Sequence, residues 1–202
     1  MYHRGYLFAG LPGTGKTSLV LALATHFKVP IYLLPISEFN SLQTIDKCLS
    51  TIEKNSIVLI EDIDRILKKE TSESSSSNRC IINGEFVGDT RNILKNLLQT
   101  LDGTDTPHGC LFILTTNEKE VIDPALLRAG RCDRLFNFGY TEKEQARRMF
   151  LRFFPGEKSS AKAFANSIGT ESVMADIQEY LLRNRNDVVK ASIFNKNLET
   201  TV

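Results

Sequence analysis

Eight residues constrain this chain more than any others: Gly10 to Thr17 read G-L-P-G-T-G-K-T. The apolar run Gly5 to Ala9 precedes them, and an apolar stretch over residues 15–27 follows. The pattern G-x-x-x-x-G-K-[ST] between a strand and a helix is a loop that wraps a phosphate. Glycines let the backbone turn its N–H groups inward onto an anion. The helix expected to open at Gly15 presents its positive end to the same anion. Lys16 then reaches the β- and γ-phosphates, and Thr17 offers a hydroxyl to Mg²⁺. The candidate phosphate-binding residues are Gly10, Leu11, Pro12, Gly13, Thr14, Gly15, Lys16, Thr17 and Ser18. The loop alone does not choose between an ATPase, a GTPase and a small-molecule kinase. The N-K-x-D motif that reads guanine is absent.

The surrounding pattern is α/β. Short apolar runs predict strands at Val29–Leu34, Ile57–Ile60 and Cys110–Leu114, and a fifth strand is expected at Arg134–Phe138. Helical spacing fills residues 41–54 and 89–101 between them. Strands of this kind alternating with helices form a parallel sheet covered on both faces. From Thr141 on, only helical patterns follow, at 142–153, 159–168, 172–183 and 187–195. The expected organisation is a core over residues 1–140 and a small all-helical lid over 141–202. Thr141 and Ser172 are the expected N-caps, with Glu144 at capping-box spacing from Thr141. Residues 68–89 fit neither part. A serine run there predicts a flexible insertion, and I-I-N-G-E-F-V predicts a hairpin turning at Asn83-Gly84.

Composition excludes several classes. The 202 residues are 42% hydrophobic and 24% charged, the balance of a globular domain able to bury about 70% of its unfolded surface. A net charge of +1 argues against nucleic-acid binding or membrane attachment through bulk positive charge. The four cysteines form no C-x-x-C, and His3, His26 and His108 do not cluster with them, so neither a zinc site nor a disulfide framework is expected. A reducing compartment is the better reading. The longest apolar run, Thr17–Phe27, spans 11 residues, too few for a membrane span. No signal peptide or presequence pattern opens the chain.

Further chemistry follows the loop in order. S-I-V-L-I-E-D-I-D covers Ser56 to Asp64. Its apolar residues predict a strand lying beside the phosphate-loop strand, with Glu61 and Asp62 emerging at its carboxyl end. Carboxylates placed there hold Mg²⁺ and activate water. Asp64 reads as a helix cap or salt-bridge partner. L-F-I-L-T-T-N delivers Asn117 to the same edge, where an amide can orient water against a γ-phosphate. Then comes D-P-A-L-L-R-A-G-R-C-D-R, in which Asp123 and Pro124 start a short helix as N-cap and N1. Arg128 and Arg131 are placed to project to one side. A guanidinium beside a transferring phosphoryl group contributes about 10³–10⁵ in rate. Taken singly, these segments have plainer readings: a solvated charge cluster, a turn, two salt-bridged arginines. Their order after the loop favours the chemistry.

In that order the segments resemble the AAA ATPases: Walker A, Walker B, a sensor asparagine, a region ending D-P-A-L-L-R-x-G-R-x-D and a helical lid. R-G-Y-L-F-x-G-x-P-G-T-G-K-T, I-E-D-I-D, L-L-Q-T-L-D-G and S-V-M-A-D-I-Q-E-Y-L-L are similar to the mitochondrial subfamily that moves the folded Rieske iron–sulfur protein across the inner membrane. That subfamily also carries Glu-Asp-x-Asp where other members carry Asp-Glu-x-Asp. Leu11 and Ala129 stand where the family has Pro, and Lys95-Asn96 replaces a small Ser-Gly pair. The resemblance implies ATP and Mg²⁺ as ligands, with Lys16 and the loop amides on the triphosphate. It places Thr17 and, through water, Glu61 on Mg²⁺. Asp62 orients the attacking water, Asn117 senses the γ-phosphate, and Arg128 and Arg131 reach a neighbour's nucleotide. It also implies a homo-oligomeric ring with a protein client, engaged in translocation or complex assembly, and no nucleic-acid partner. An ATP-binding module without turnover and a small-molecule kinase are the competing readings. The membrane helix and middle domain that precede the ATPase in that subfamily are absent from this sequence, so a fragment or a divergent stand-alone relative is expected. The implied location is the matrix side of the mitochondrial inner membrane if such a region precedes the chain, and cytoplasmic otherwise. Phe39 is the only aromatic where unfoldases carry a pore loop, so threading of an unfolded polypeptide is not expected.

Overall fold

In the computed structural model, residues 4–35, 42–65, 80–82, 85–87, 98–99, 101–102, 109–128 and 130–194 are described. They divide into two compact units. The first is Met1–Gly10 with Lys16–Asn137, and the second is Leu11–Gly15 with Phe138–Val202.

The first unit is built around a five-stranded sheet whose central strands are too apolar to leave either face in water. Five of them, β1 (Arg4–Gly10), β2 (Ile31–Leu33), β3 (Ile57–Ile60), β6 (Leu111–Thr116) and β7 (Arg134–Phe138), form one sheet in the order β2-β3-β6-β1-β7. β1 with β6, β3 with β6 and β2 with β3 are parallel pairs. One row across the sheet reads Leu7, Leu114, Ile60. These residues face Ile45 and Leu49 of helix α2 (Leu42–Ser50), together with Ile52 and Leu101, in one buried cluster. Each large apolar side chain fully buried in this way contributes about 2 kcal/mol. Helix α1 (Lys16–Phe27) packs against β1 and β6, burying Val20 and Ala24.

Sheet order corrects one expectation. β3 does not lie beside β1, because β6 separates them. Burial explains the placement. Phe112 to Thr116 are all buried, so β6 requires a neighbour on both sides, whereas β2 and β7 are half exposed and take the edges. Helix α2 is also shorter than its pattern. After Ser50 the N–H groups of Thr51 and Ile52 turn back to the Cys48 and Leu49 carbonyls, three residues earlier, and end it.

The expected hairpin is present. β4 (Cys80–Ile82) pairs antiparallel with β5 (Glu85–Val87), with Ile82 opposite Glu85; Asn83 and Gly84, where the turn is expected, lie outside the described residues. Of the expected helix over 89–101, Leu98, Gln99 and Leu101 are helical, and residues 89–97 lie outside the described residues. So do residues 68–79 of the insertion, and Phe39.

The second unit holds α3 (Lys143–Phe153), α4 (Lys158–Ser167), α5 (Met174–Arg183) and α6 (Val188–Ala191). Phe150 and Phe164 are fully buried with ring centroids 5.1 Å apart, and Tyr180 and Phe194 extend the cluster. The Tyr180 hydroxyl reaches the carbonyls of Lys190 at 2.9 Å and Ile193 at 2.7 Å, tying the last helical turn to α5. Two caps differ from expectation. Glu142, not Thr141, caps α3 in a capping box with Gln145. The Thr141 N–H is already committed to the Ser172 carbonyl at 2.8 Å. Ser172 precedes Val173, the N-cap of α5, which makes no side-chain cap bond.

The loop Leu11–Gly15 groups with these helices. Gly13 lies at φ +78°, and its carbonyl accepts from Ala175 N–H at 3.0 Å. A Cβ on Gly13 would stand 3.0 Å from Ala175 Cβ and 3.3 Å from Val173 Cγ2. Both the backbone angle and the close approach therefore require glycine. Among the described residues, no helix is long and apolar enough to cross a membrane.

Candidate nucleotide site

Three strands end at one edge of the first unit's sheet, and each delivers a polar group there. β1 ends at Gly10, leading into the loop, and Lys16 and Thr17 open α1. β3 ends at Ile60, so Glu61 and Asp62 follow, and β6 ends at Thr116, so Asn117 follows.

Lys16 is 8% exposed. Its Nζ donates to the Gly10 carbonyl at 2.6 Å and to Asn117 Oδ1 at 2.8 Å. Burial lowers its pKa below the ordinary lysine value, and the nearby carboxylates of Asp62 and Asp64 pull the other way. The Asn117 amide continues the chain, its Nδ2 donating to Asp62 Oδ1 at 3.2 Å. Thr17 Oγ1 donates to Glu61 Oε1 at 2.7 Å. A hydroxyl and a carboxylate oxygen side by side, both exposed, are the donor set that a hard divalent cation takes at a triphosphate. The residues present therefore fit Mg²⁺.

Lys16, Thr17, Glu61, Asp62 and Asn117 are thus brought together. Asp64 and two threonines also belong to this edge. Asp64 is 4% exposed, and its Oδ1 accepts from Asn117 N–H at 2.9 Å and from the Thr116 hydroxyl at 3.0 Å. Thr115 Oγ1 accepts from Asp62 N–H at 3.1 Å. The sequence carried a signal for the pair. Two threonines ending an otherwise apolar strand place two buried hydroxyls, and buried hydroxyls must find partners.

The arginine segment is held from several sides. Asp123 caps its short helix, accepting from Ala125 N–H at 2.7 Å, as the D-P pattern predicts. Asp133 N–H donates to the Gly5 carbonyl at 2.8 Å, and Gly5 N–H donates to Asp133 Oδ2 at 3.2 Å. A Cβ on Gly5 would lie 1.6 Å from the Arg131 carbonyl oxygen, so only glycine lets the segment approach β1. The two arginines differ. Arg131 is turned into its own chain, donating through Nε to Asp102 Oδ1 at 2.6 Å, through Nη2 to Asp102 Oδ2, and through Nη1 to the Ala125 carbonyl at 2.8 Å. This bidentate pairing raises its pKa further. Arg128 is exposed and has no side-chain partner among the described residues.

Comparison with known proteins agrees with this geometry. Residues 6–140 match the ATPase family associated with various cellular activities (AAA), and residues 143–192 match the ATPase lid domain of the mitochondrial chaperone BCS1-like type. The chain is 34% identical to the mitochondrial chaperone BCS1 of Homo sapiens over 196 residues, 94% of this chain and 45% of that protein. It is 32% identical to the probable mitochondrial chaperone bcs1 of Schizosaccharomyces pombe, covering 98% of this chain and 42% of that protein. It is also 32% identical to the Arabidopsis thaliana protein HYPER-SENSITIVITY-RELATED 4, over 91% of this chain and 32% of that protein. The chain spans less than half the length of each of these relatives. The phosphate loop, the carboxylate-ended β3, the asparagine after β6 and the two matched family regions together make this chain a member of the AAA ATPase family, with a BCS1-like lid.

Proposed function

We propose that this chain hydrolyses ATP and couples hydrolysis to protein translocation or complex assembly, acting in a ring of like subunits. The carrying observation is the continuous line Lys16–Asn117–Asp62, which joins a triphosphate-binding cation to a carboxylate able to orient water. The amides of residues 10–18 and Lys16 bind the phosphates. Mg²⁺, when bound, would supply charge neutralisation at the triphosphate, and Thr17 and, through water, Glu61 would hold it. Asp62 accepts a hydrogen bond from the attacking water, and Asn117 keeps that water and the γ-phosphate in line. Arg128, exposed at the unit's surface, reaches the neighbouring subunit's nucleotide, and Arg131 shapes the segment that presents it. The relatives named as mitochondrial chaperones support a protein client and a mitochondrial location. The matrix side of the inner membrane follows only if a region like that of the resembled subfamily precedes this chain, and the location is cytoplasmic otherwise.

The test is phosphate release measured against protein concentration, with ATP and Mg²⁺ and no phosphoryl acceptor. Turnover per chain should rise with concentration, as assembly brings arginines to neighbouring nucleotides. Phosphate release that needs an added acceptor would make the chain a kinase. ATP binding without release at any concentration would leave it a passive module.

A further inference from the structure

The backbone ladder between β3 and β6 stops one step short of the chemistry. Its last paired residues are Ile60 and Leu114. Beyond them Asp62 turns to φ +51°, a left-handed backbone that an L-residue keeps only when its surroundings enforce it. Side chains bridge the two strands here, and they do so in both directions. From β6, Thr115 Oγ1 accepts the Asp62 N–H at 3.1 Å. From β3, Asp64 Oδ1 accepts the Asn117 N–H at 2.9 Å and the Thr116 hydroxyl at 3.0 Å. Thr115 is 2% exposed, Thr116 0% and Asp64 4%. A carboxylate so far from water is costly, and an apolar residue in its place would pack without that cost. Both bonds of Asp64 Oδ1 are spent on the segment that carries Asn117.

We propose that Asp64 and Thr115 are positioning residues that form a reciprocal brace across β3 and β6 and set the Asp62–Asn117 geometry for hydrolysis. Neither side chain touches nucleotide. Thr115 fixes where the Asp62 carboxylate starts, and Asp64 fixes where the Asn117 amide starts. The 3.2 Å bond between Asp62 and Asn117 is the result. The inference rests on the nucleotide-site reading above and deepens it. A brace of this kind acts more on turnover than on ground-state affinity: the loop amides are not among its members, and Lys16 is reached only through Asn117 and the Asp64 charge.

Four variants test it: Asp64→Ala, Asp64→Asn, Thr115→Val and Thr115→Ser. Each is assayed for ATP Kd by calorimetry and for kcat by phosphate release. Displacing a reacting group by about 1 Å costs about 10²-fold, so Asp64→Ala and Thr115→Val should lose kcat on that scale with Kd nearly unchanged. Asp64→Asn keeps a carbonyl oxygen and Thr115→Ser keeps a hydroxyl, so both should return most of the lost turnover. If Asp64→Ala does not fold, the near-isosteric Thr115→Val carries the test. Folded variants with unchanged kcat would overturn the brace, as would conservative variants as impaired as the truncations. Equal losses in affinity and turnover would overturn it too. Asp62→Asn serves as the reference. If that variant hydrolyses ATP normally, the site reading itself fails; if it is dead while the brace variants turn over normally, only the brace fails.

Discussion

Lys16 Nζ donates to Asn117 Oδ1 across 2.8 Å, although the two residues are 101 positions apart in the chain. That bond fixes the orientation of the Asn117 amide. With its oxygen on the ammonium, its Nδ2 must face Asp62. A cation, an amide and a carboxylate form one hydrogen-bonded chain, so a group that pulled on Lys16 would act on Asp62 through Asn117. A γ-phosphate is such a group.

Lys16→Ala should remove productive ATP binding and leave a folded chain. Hydrogen bonds to charged groups contribute about 1.5–3 kcal/mol each, so affinity should fall at least about tenfold to a hundredfold. Proton linkage adds a second readout. Burial holds the Lys16 pKa below 10.5 in the free protein. Between that lowered value and the ordinary one, the unfolded chain binds more protons than the native chain, so this group's contribution to stability rises with pH through the window. Phosphate oxygens favour the charged form and push the pKa back up. ATP binding on the alkaline side should therefore take up protons. Calorimetry in two buffers of different ionisation enthalpy measures the uptake, and its absence in wild type would mean that Lys16 does not meet the phosphates.

Asp62→Asn should keep ATP bound and stop hydrolysis, whereas Glu61→Gln should mainly shift the Mg²⁺ dependence. The separation follows from the partners. Glu61 is bonded to the Thr17 hydroxyl, and Asp62 to the Asn117 amide. A Glu61→Gln variant that trapped ATP with ordinary Mg²⁺ dependence would reverse the two roles.

How much of this was legible in the sequence varies with the kind of bond involved. Local and periodic features were readable: the strand–loop–helix around Gly10–Thr17, the apolar strands, the Asp123-Pro124 cap, the antiparallel β4–β5 pair. Glu61, Asp62 and Asn117 were readable because each follows a run that has to be a buried strand. Sheet order was not, since nothing local to β3 says that β6 stands between it and β1. The sequence reads Asp64 as a helix cap or salt-bridge partner, and its actual partners escape that reading for the same reason. Its partners, Thr116 and the Asn117 N–H, lie more than fifty residues away, and only the sheet brings them within 3.0 Å. Asp102 likewise declares itself as the partner of Arg131 only after folding. The α3 cap slipped by one residue because the Thr141 N–H went to Ser172, a contact made in the folded lid.

The lid carries a local electrostatic prediction. Glu144, in the first turn of α3, accepts from Arg147 Nε at 2.7 Å and Nη2 at 2.8 Å, and from Arg148 Nε at 3.0 Å. These bonds, Arg147 first, hold its carboxyl down to about 2. A depressed carboxylate stabilises the folded form above its unfolded pKa, and that contribution is lost as pH falls from about 4.5 toward about 2. Carboxyl-detected NMR titration should place the Glu144 midpoint near that lower value, and raised salt should move it upward, since the site is exposed. A midpoint in the ordinary range, about 4.3, would show that the two arginines do not hold it in solution.

The arginine segment gives the sharpest division of labour. Arg131 is anchored on Asp102 and the Ala125 carbonyl, and its side chain is 15% exposed. Arg128 is exposed, with no side-chain partner among the described residues. Arg131→Ala should therefore lower Tm as well as activity, because it releases the segment that Gly5 and Asp133 hold against β1. Arg128→Ala should leave Tm unchanged, spare ATP affinity and cost about 10³-fold or more in turnover, as the loss of a guanidinium beside the γ-phosphate does. Whether Arg128 acts across a subunit boundary is decided by mixing two dead variants, Lys16→Ala and Arg128→Ala. In a mixed ring, some interfaces place the intact loop of an Arg128→Ala subunit against the intact Arg128 of a Lys16→Ala subunit. Those interfaces should hydrolyse ATP, so activity should return in part, while either variant alone stays inactive at the same total concentration. Mixed assemblies verified by mass measurement that remain inactive would rule out action of Arg128 across the subunit boundary.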